Sequence, residues 1–127
     1  ERPAHTFVGY FIGSPGMNVL PARVDGSQVT IGDQVLGLDH APDIGSAAKV
    51  ELGIRPEFVR LGREGMPVEI AKVEDIGRQK IVRARFAGQP LAIVVPEDGE
   101  IPTDARVRFD PAAISIYADS WRVGKEA

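Results

Sequence analysis

The 127-residue chain contains no cysteine. A disulfide framework, a zinc–cysteine site and a thiol nucleophile are therefore excluded. Histidine is nearly absent as well: His5 and His40 are the only two, far apart in sequence. A metal site built on them would need carboxylates delivered by folding. Aromatic residues amount to five Phe, two Tyr and one Trp. Three of these, Phe7, Tyr10 and Phe11, crowd near the start of the chain. No apolar run approaches the roughly 18 residues of a membrane span, and no signal peptide is legible. Neither G-x-x-x-x-G-K-(S/T) nor G-x-G-x-x-G occurs, so the usual phosphate-cradling loops are missing. The net charge of −3 argues against a general nucleic-acid binder.

What is present is β-forming. Valine and isoleucine total 25 against six leucines, with 14 Gly and 10 Pro. The length fits one domain or two very small ones. Pro3 suits a first helical turn, and Phe7, Val8, Phe11 and Ile12 make one apolar ridge. Gly13 and Pro15 end it, which predicts a helix over about residues 3–12. From Asn18 onward the pattern is short strands. Asp25-Gly26, Gly32-Asp33 and Ala87-Gly88-Gln89 mark hairpin turns. Val50, Leu52 and Ile54 alternate with Lys49, Glu51 and Arg55 before Pro56 stops the run. The alternation at Val68 and Ile70 slips phase by Val73, which predicts a bulge or corner. About nine short strands with one short N-terminal helix make a mainly β fold, a small OB-like barrel.

Chemistry-bearing patterns are few. Glu97, Asp98 and Glu100 cluster in a Gly/Pro loop, where solvation is the simpler account. Ser14, Ser27, Ser46, Ser115 and Ser120 lack a nucleophile-elbow context. Arg83, Arg85, Arg106 and Arg108 lie at outward strand positions, without the aromatic platforms that single-stranded nucleic acid requires. The most unusual polar stretch is "LGIRPE" at 52–57. There a strand delivers Arg55, stops at Pro56 and is followed by Glu57: a structural corner pairing the two charges, or an interface arginine.

Four stretches together resemble a known family. "RPAHTFVGYFIGSPGMNVLPA" (2–22) resembles the linker after the nucleotide-binding domain in ATP-binding subunits of ABC importers for maltose, other sugars or glycerol-3-phosphate. The signature there has the form F-V-A-x-F-I-G-S-P-x-M-N. Phe7, Val8, Phe11, Ile12, Gly13, Ser14, Pro15, Met17 and Asn18 match it. "LGIRPE" resembles the L-G-(I/V)-R-P-E element of the transport-associated OB (TOBE) domain, and "VEDIG" (73–77) its V-E-x-L-G. The tail "VRFDPAAISIYADSW" (107–121) is similar to its final strands. Phe58 stands where that family commonly has His, Tyr117 where it has Phe, and Ala118 where it has Asp.

The resemblance implies a linker helix over residues 1–16 and an OB-like regulatory domain over 17–127. Phe7, Phe11, Gly13, Ser14, Pro15, Met17 and Asn18 would then contact the nucleotide-binding domain, and Arg55, Pro56 and Glu57 would form a structural or interface corner. It implies a piece of a longer subunit, consistent with a chain beginning Glu-Arg-Pro. No catalysis and no cofactor are expected on this stretch. ATP and Mg²⁺ would belong to the missing domain of a transport ATPase. The implied partners are that domain, a second copy in a homodimer, the permease subunits and a cytoplasmic regulator protein, with no nucleic acid and no membrane insertion. The implied location is cytoplasmic, on the inner face of the cell membrane. The rival reading is a stand-alone OB-type module for a small oxyanion.

Overall fold

The computed structural model describes residues 16–119 and 121–123. The helix expected over 3–12 lies outside them. The described chain is strands and turns, as its β-branched composition implies. In chain order the strands are β1 (Asn18–Pro21), β2 (Arg23–Asp25), β3 (Gln28–Ile31), β4 (Gln34–Gly37), β5 (Val50–Ile54), β6 (Val59–Gly62) and β7 (Met66–Pro67), then β8 (Glu69–Asp75), β9 (Gln79–Phe86), β10 (Gln89–Pro96), β11 (Arg106–Phe109), β12 (Ser115–Ala118) and β13 (Trp121–Val123). The strands β6, β7 and β13 were not foreseen. Each carries at most two alternating apolar residues, too few for a period to register. Their partners in the sheets define them instead.

The strands form four open sheets rather than one closed barrel: β1-β5-β12-β13, β10-β9-β8, β6-β11-β7 and β2-β3-β4. All of them contribute to a shared core. Leu20, Val29, Leu52, Val82, Ile93 and Val107 are essentially inaccessible there. Phe86 and Phe109 meet with ring centroids 5.3 Å apart at 50°, the tilted geometry aromatic pairs favour.

Two of the sheets are one bent ribbon. Gly53 faces Ser115 in the first, and Val59 faces Phe109 in the second. Five residues separate the two positions on either strand, so the register survives the bend. A 3-10 turn makes the corner on each strand, at Pro56–Phe58 and at Pro111–Ala113. Proline fits there because its fixed φ starts the turn and its missing N–H leaves no ladder bond unmade.

The hairpin turns fall where the sequence places them, except that Gln89 pairs with Phe86 and begins β10 instead of belonging to the third loop. Gly26 and Gly32 take the positive φ of 63° and 60° that their two-residue loops require. The β9–β10 loop needs it twice, at Ala87 (φ 50°) and Gly88 (φ 80°). An L-residue with a Cβ is strained at the first of these. Ala87→Asn keeps the Cβ and tolerates the left-handed region. It is expected to stabilise the chain by about 0.5–1 kcal/mol, read by urea unfolding. The predicted phase slip is also present: the β8–β9 register shifts between Ile70 and Lys72, leaving Ala71 as the extra residue of a bulge.

Candidate functional site

The two motif segments are far apart in sequence and adjacent in space. β1 and β5 run antiparallel with Asn18 opposite Ile54 and Val19 opposite Gly53. Met17 and Asn18 therefore sit beside the start of the Arg55-Pro56-Glu57 corner. Phe7, Phe11, Gly13, Ser14 and Pro15, the remaining linker positions, lie outside the described residues.

At the corner, Arg55 Nε and Glu57 Oε2 pair at 3.3 Å, each side chain about half exposed. A pair so open to solvent contributes roughly 0–1 kcal/mol. Pro56 between them is fully buried and carries the packing. The Phe58 amide donates to the Arg55 carbonyl (2.9 Å), and the Asp110 amide reaches across the ribbon to the Phe58 carbonyl (3.3 Å). The matching turn is capped by Asp110, whose Oδ1 accepts from the Ala112 amide at 3.1 Å.

Asn18 does something its sequence position did not announce. Its side chain is buried, donates Nδ2–H to the Ala92 carbonyl (2.8 Å) and accepts the Ala92 amide on Oδ1 (2.8 Å). One carboxamide thus stands in for a missing strand partner on the edge of β10. The hairpin alternation turns the main chain of Pro90, Ala92, Val94 and Pro96 away from β9. Two of these positions have no N–H to offer, and Ala92 is satisfied by Asn18, so the edge is largely closed to further pairing.

Met17 enters from the same segment. Its sulfur accepts from the Tyr117 hydroxyl at 3.3 Å. Tyr117 is fully buried, with its ring over Gly53. The hydroxyl that distinguishes Tyr117 from phenylalanine therefore meets a weak acceptor rather than nothing.

Asp119 was missed by the sequence reading. At φ 53° it closes the β12–β13 turn, and its carboxylate accepts the Ala48 (3.1 Å) and Lys49 (2.9 Å) amides at the entry to β5. An Asp in a two-residue turn was the available signal.

The four arginines do not form one stripe. Arg83 and Arg85 are on β9, while Arg106 and Arg108 are on β11 in another sheet. Arg83 is matched by Glu74 at 3.1 Å, and its hydrogen bond holds the Glu74 carboxyl below the usual carboxylate range. Arg106 donates to the Gly65 carbonyl at 2.9 Å. Glu100 pairs with Arg63 at 3.2 Å. His40 pairs with its neighbour Asp39, and His5 lies outside the described residues. Among the described residues no three potential metal ligands cluster, and no helix is long and apolar enough to cross a membrane.

Two family models match the chain. The family model of the MalK OB fold domain matches residues 13–59. The family model of the TOBE domain matches residues 52–117. The sn-glycerol-3-phosphate import ATP-binding protein UgpC of Jannaschia sp. (strain CCS1) is 33% identical over 127 residues, covering 96% of this chain and 36% of its own. The protein of the same name from Ruegeria pomeroyi is 36% identical over 131 residues, covering 98% of this chain and 36% of its own. That from Bordetella avium is 40% identical over 97 residues, covering 73% of this chain and 27% of its own. The chain thus spans about a third of the length of these curated relatives.

Proposed function

The chain belongs to the TOBE domain family, and from that membership we propose that it is the regulatory and dimerisation domain of an ABC importer's ATP-binding subunit. The carrying observation is that the two family matches overlap end to end, at 13–59 and 52–117, across one bent ribbon. The names of the relatives, which are sn-glycerol-3-phosphate import ATP-binding proteins, support glycerol-3-phosphate as the imported solute.

In this reading the parent subunit hydrolyses ATP on the cytoplasmic side of the membrane, against permease subunits. In the same reading ATP and Mg²⁺ belong to the rest of that subunit, since the sequence of this stretch has no phosphate loop. The task of this stretch is mechanical. A contact between two copies that persists while the ATPase halves open and close keeps the partner's effective concentration high. A regulator protein that prefers one of those states would shift ATP turnover by its differential affinity.

Sequencing the gene upstream of the Glu1 codon tests this. The expected result is an open frame of about 200–250 residues containing G-x-x-x-x-G-K-(S/T). A start codon directly before Glu1 overturns the proposal and leaves the fold assignment standing.

A further inference from the structure

Large apolar side chains exposed among the described residues include Val73 (43% exposed) and Ile76 (52% exposed). Val73 lies in β8, the outer strand of its sheet, and Ile76 directly follows that strand. The Ile76 amide donates to the Gln79 carbonyl at 3.0 Å. That bond fixes the alternation: the main chain of Lys72, Glu74 and Ile76 faces β9, and that of Val73 and Asp75 faces outward. The far edge of this sheet is closed by Pro90, Pro96 and the Asn18 side chain. Between Lys72 and Asp75 no proline closes the near one.

We propose that this edge pairs antiparallel with β8 of a second copy of the chain, about a two-fold axis at Val73. Three features meet in that one register. The outward-facing main chain of Val73 exchanges two N–H···O bonds with the partner's Val73, the pattern of a hydrogen-bonded antiparallel pair. Lys72 falls opposite the partner's Glu74 on both sides of the axis, so each strand meets opposite charge. Glu74 is already held on that face by Arg83 (3.1 Å) and by Lys72 (3.5 Å). The exposed Val73 side chain covers its own mate. Moving the axis to Asp75 sets that carboxylate against the partner's Asp75, and moving it to Ala71 places the bulge at the centre. The edge therefore specifies its own register. The inference rests on the edge alone and not on the transport reading, although it gives a surface by which two such domains would meet.

Sedimentation of the 127-residue chain from about 10 µM to about 1 mM tests it, a range suited to a small interface. The expected result is a reversible monomer–dimer equilibrium. Val73→Pro removes the outward N–H without touching the β8–β9 ladder. Val73→Lys sets two ammonium groups across the axis and keeps the strand intact. Each is expected to raise the dimer Kd at least about tenfold with unchanged circular dichroism. In Val73→Cys the paired Cα atoms would lie about 5.5 Å apart, within disulfide range, and the chain has no other thiol. Mild oxidation should give a single crosslinked dimer. A wild type that stays monomeric throughout overturns the proposal. So does a dimer whose Kd neither Val73→Pro nor Val73→Lys changes, and that second result leaves assembly through another face, and the transport reading, intact.

Discussion

Asn18→Leu is expected to destabilise the chain by about 2–5 kcal/mol in urea unfolding. Leucine keeps the branched side-chain skeleton, with somewhat larger ends, and removes both hydrogen bonds to Ala92, each 2.8 Å long. Asn18 is only 8% exposed, so water is a poor substitute for the lost partner. An amide and a carbonyl left unpaired in a buried site cost about 1–3 kcal/mol each. Asn18→Asp separates the two bonds. The carboxylate still accepts the Ala92 amide but turns an oxygen toward the Ala92 carbonyl, so it is expected to recover little. Amide hydrogen exchange gives a local readout: Ala92 should lose protection in Asn18→Leu before the neighbouring β9–β10 amides do. If Asn18→Leu costs under about 0.5 kcal/mol, the carboxamide does not join β1 to β10.

Gly53→Ala is expected to cost about 2–4 kcal/mol, by crowding rather than by lost bonding. A Cβ at this position would lie 2.5 Å from the Met17 sulfur and 2.7 Å from Tyr117 Cε2. The methionine end can swing away. The Tyr117 ring cannot, because it is fully buried between its strand and its neighbours. A double-mutant cycle with Tyr117→Leu separates the causes, since removing the ring should relieve most of the penalty. Additive effects would show that the glycine is required for another reason. Gly53 has ordinary backbone angles, so its requirement is for space and not for a left-handed conformation.

Both predictions fall in stretches that family resemblance marks, "GMN" and "LGIRPE". Within the described residues these stretches join sheets. Asn18 links β1 to β10, Met17 and Gly53 accommodate Tyr117, and Pro56 fills the corner. The exposed Arg55–Glu57 pair sits on top of that corner and contributes little to the fold. It is the solvent-exposed part of the motif.

The sequence by itself determined the mainly β class, the three hairpins and the bulge in β8. These are local decisions, made by Gly and Asp at turn positions and by apolar residues at period two. Short-range sterics and alternation determine them before any long contact forms. Only the tertiary structure decided the rest. β6, β7 and β13 exist because β11 and β12 offer them ladder bonds. The four arginines are divided between two sheets because their strands diverge around the core. Asn18 became a strand partner because the edge of β10 passes within 2.8 Å of it, 74 residues away along the chain. Hydrogen-bond satisfaction in a buried edge is a property of the assembled sheets. No window of sequence contains both the amide left open and the side chain that closes it.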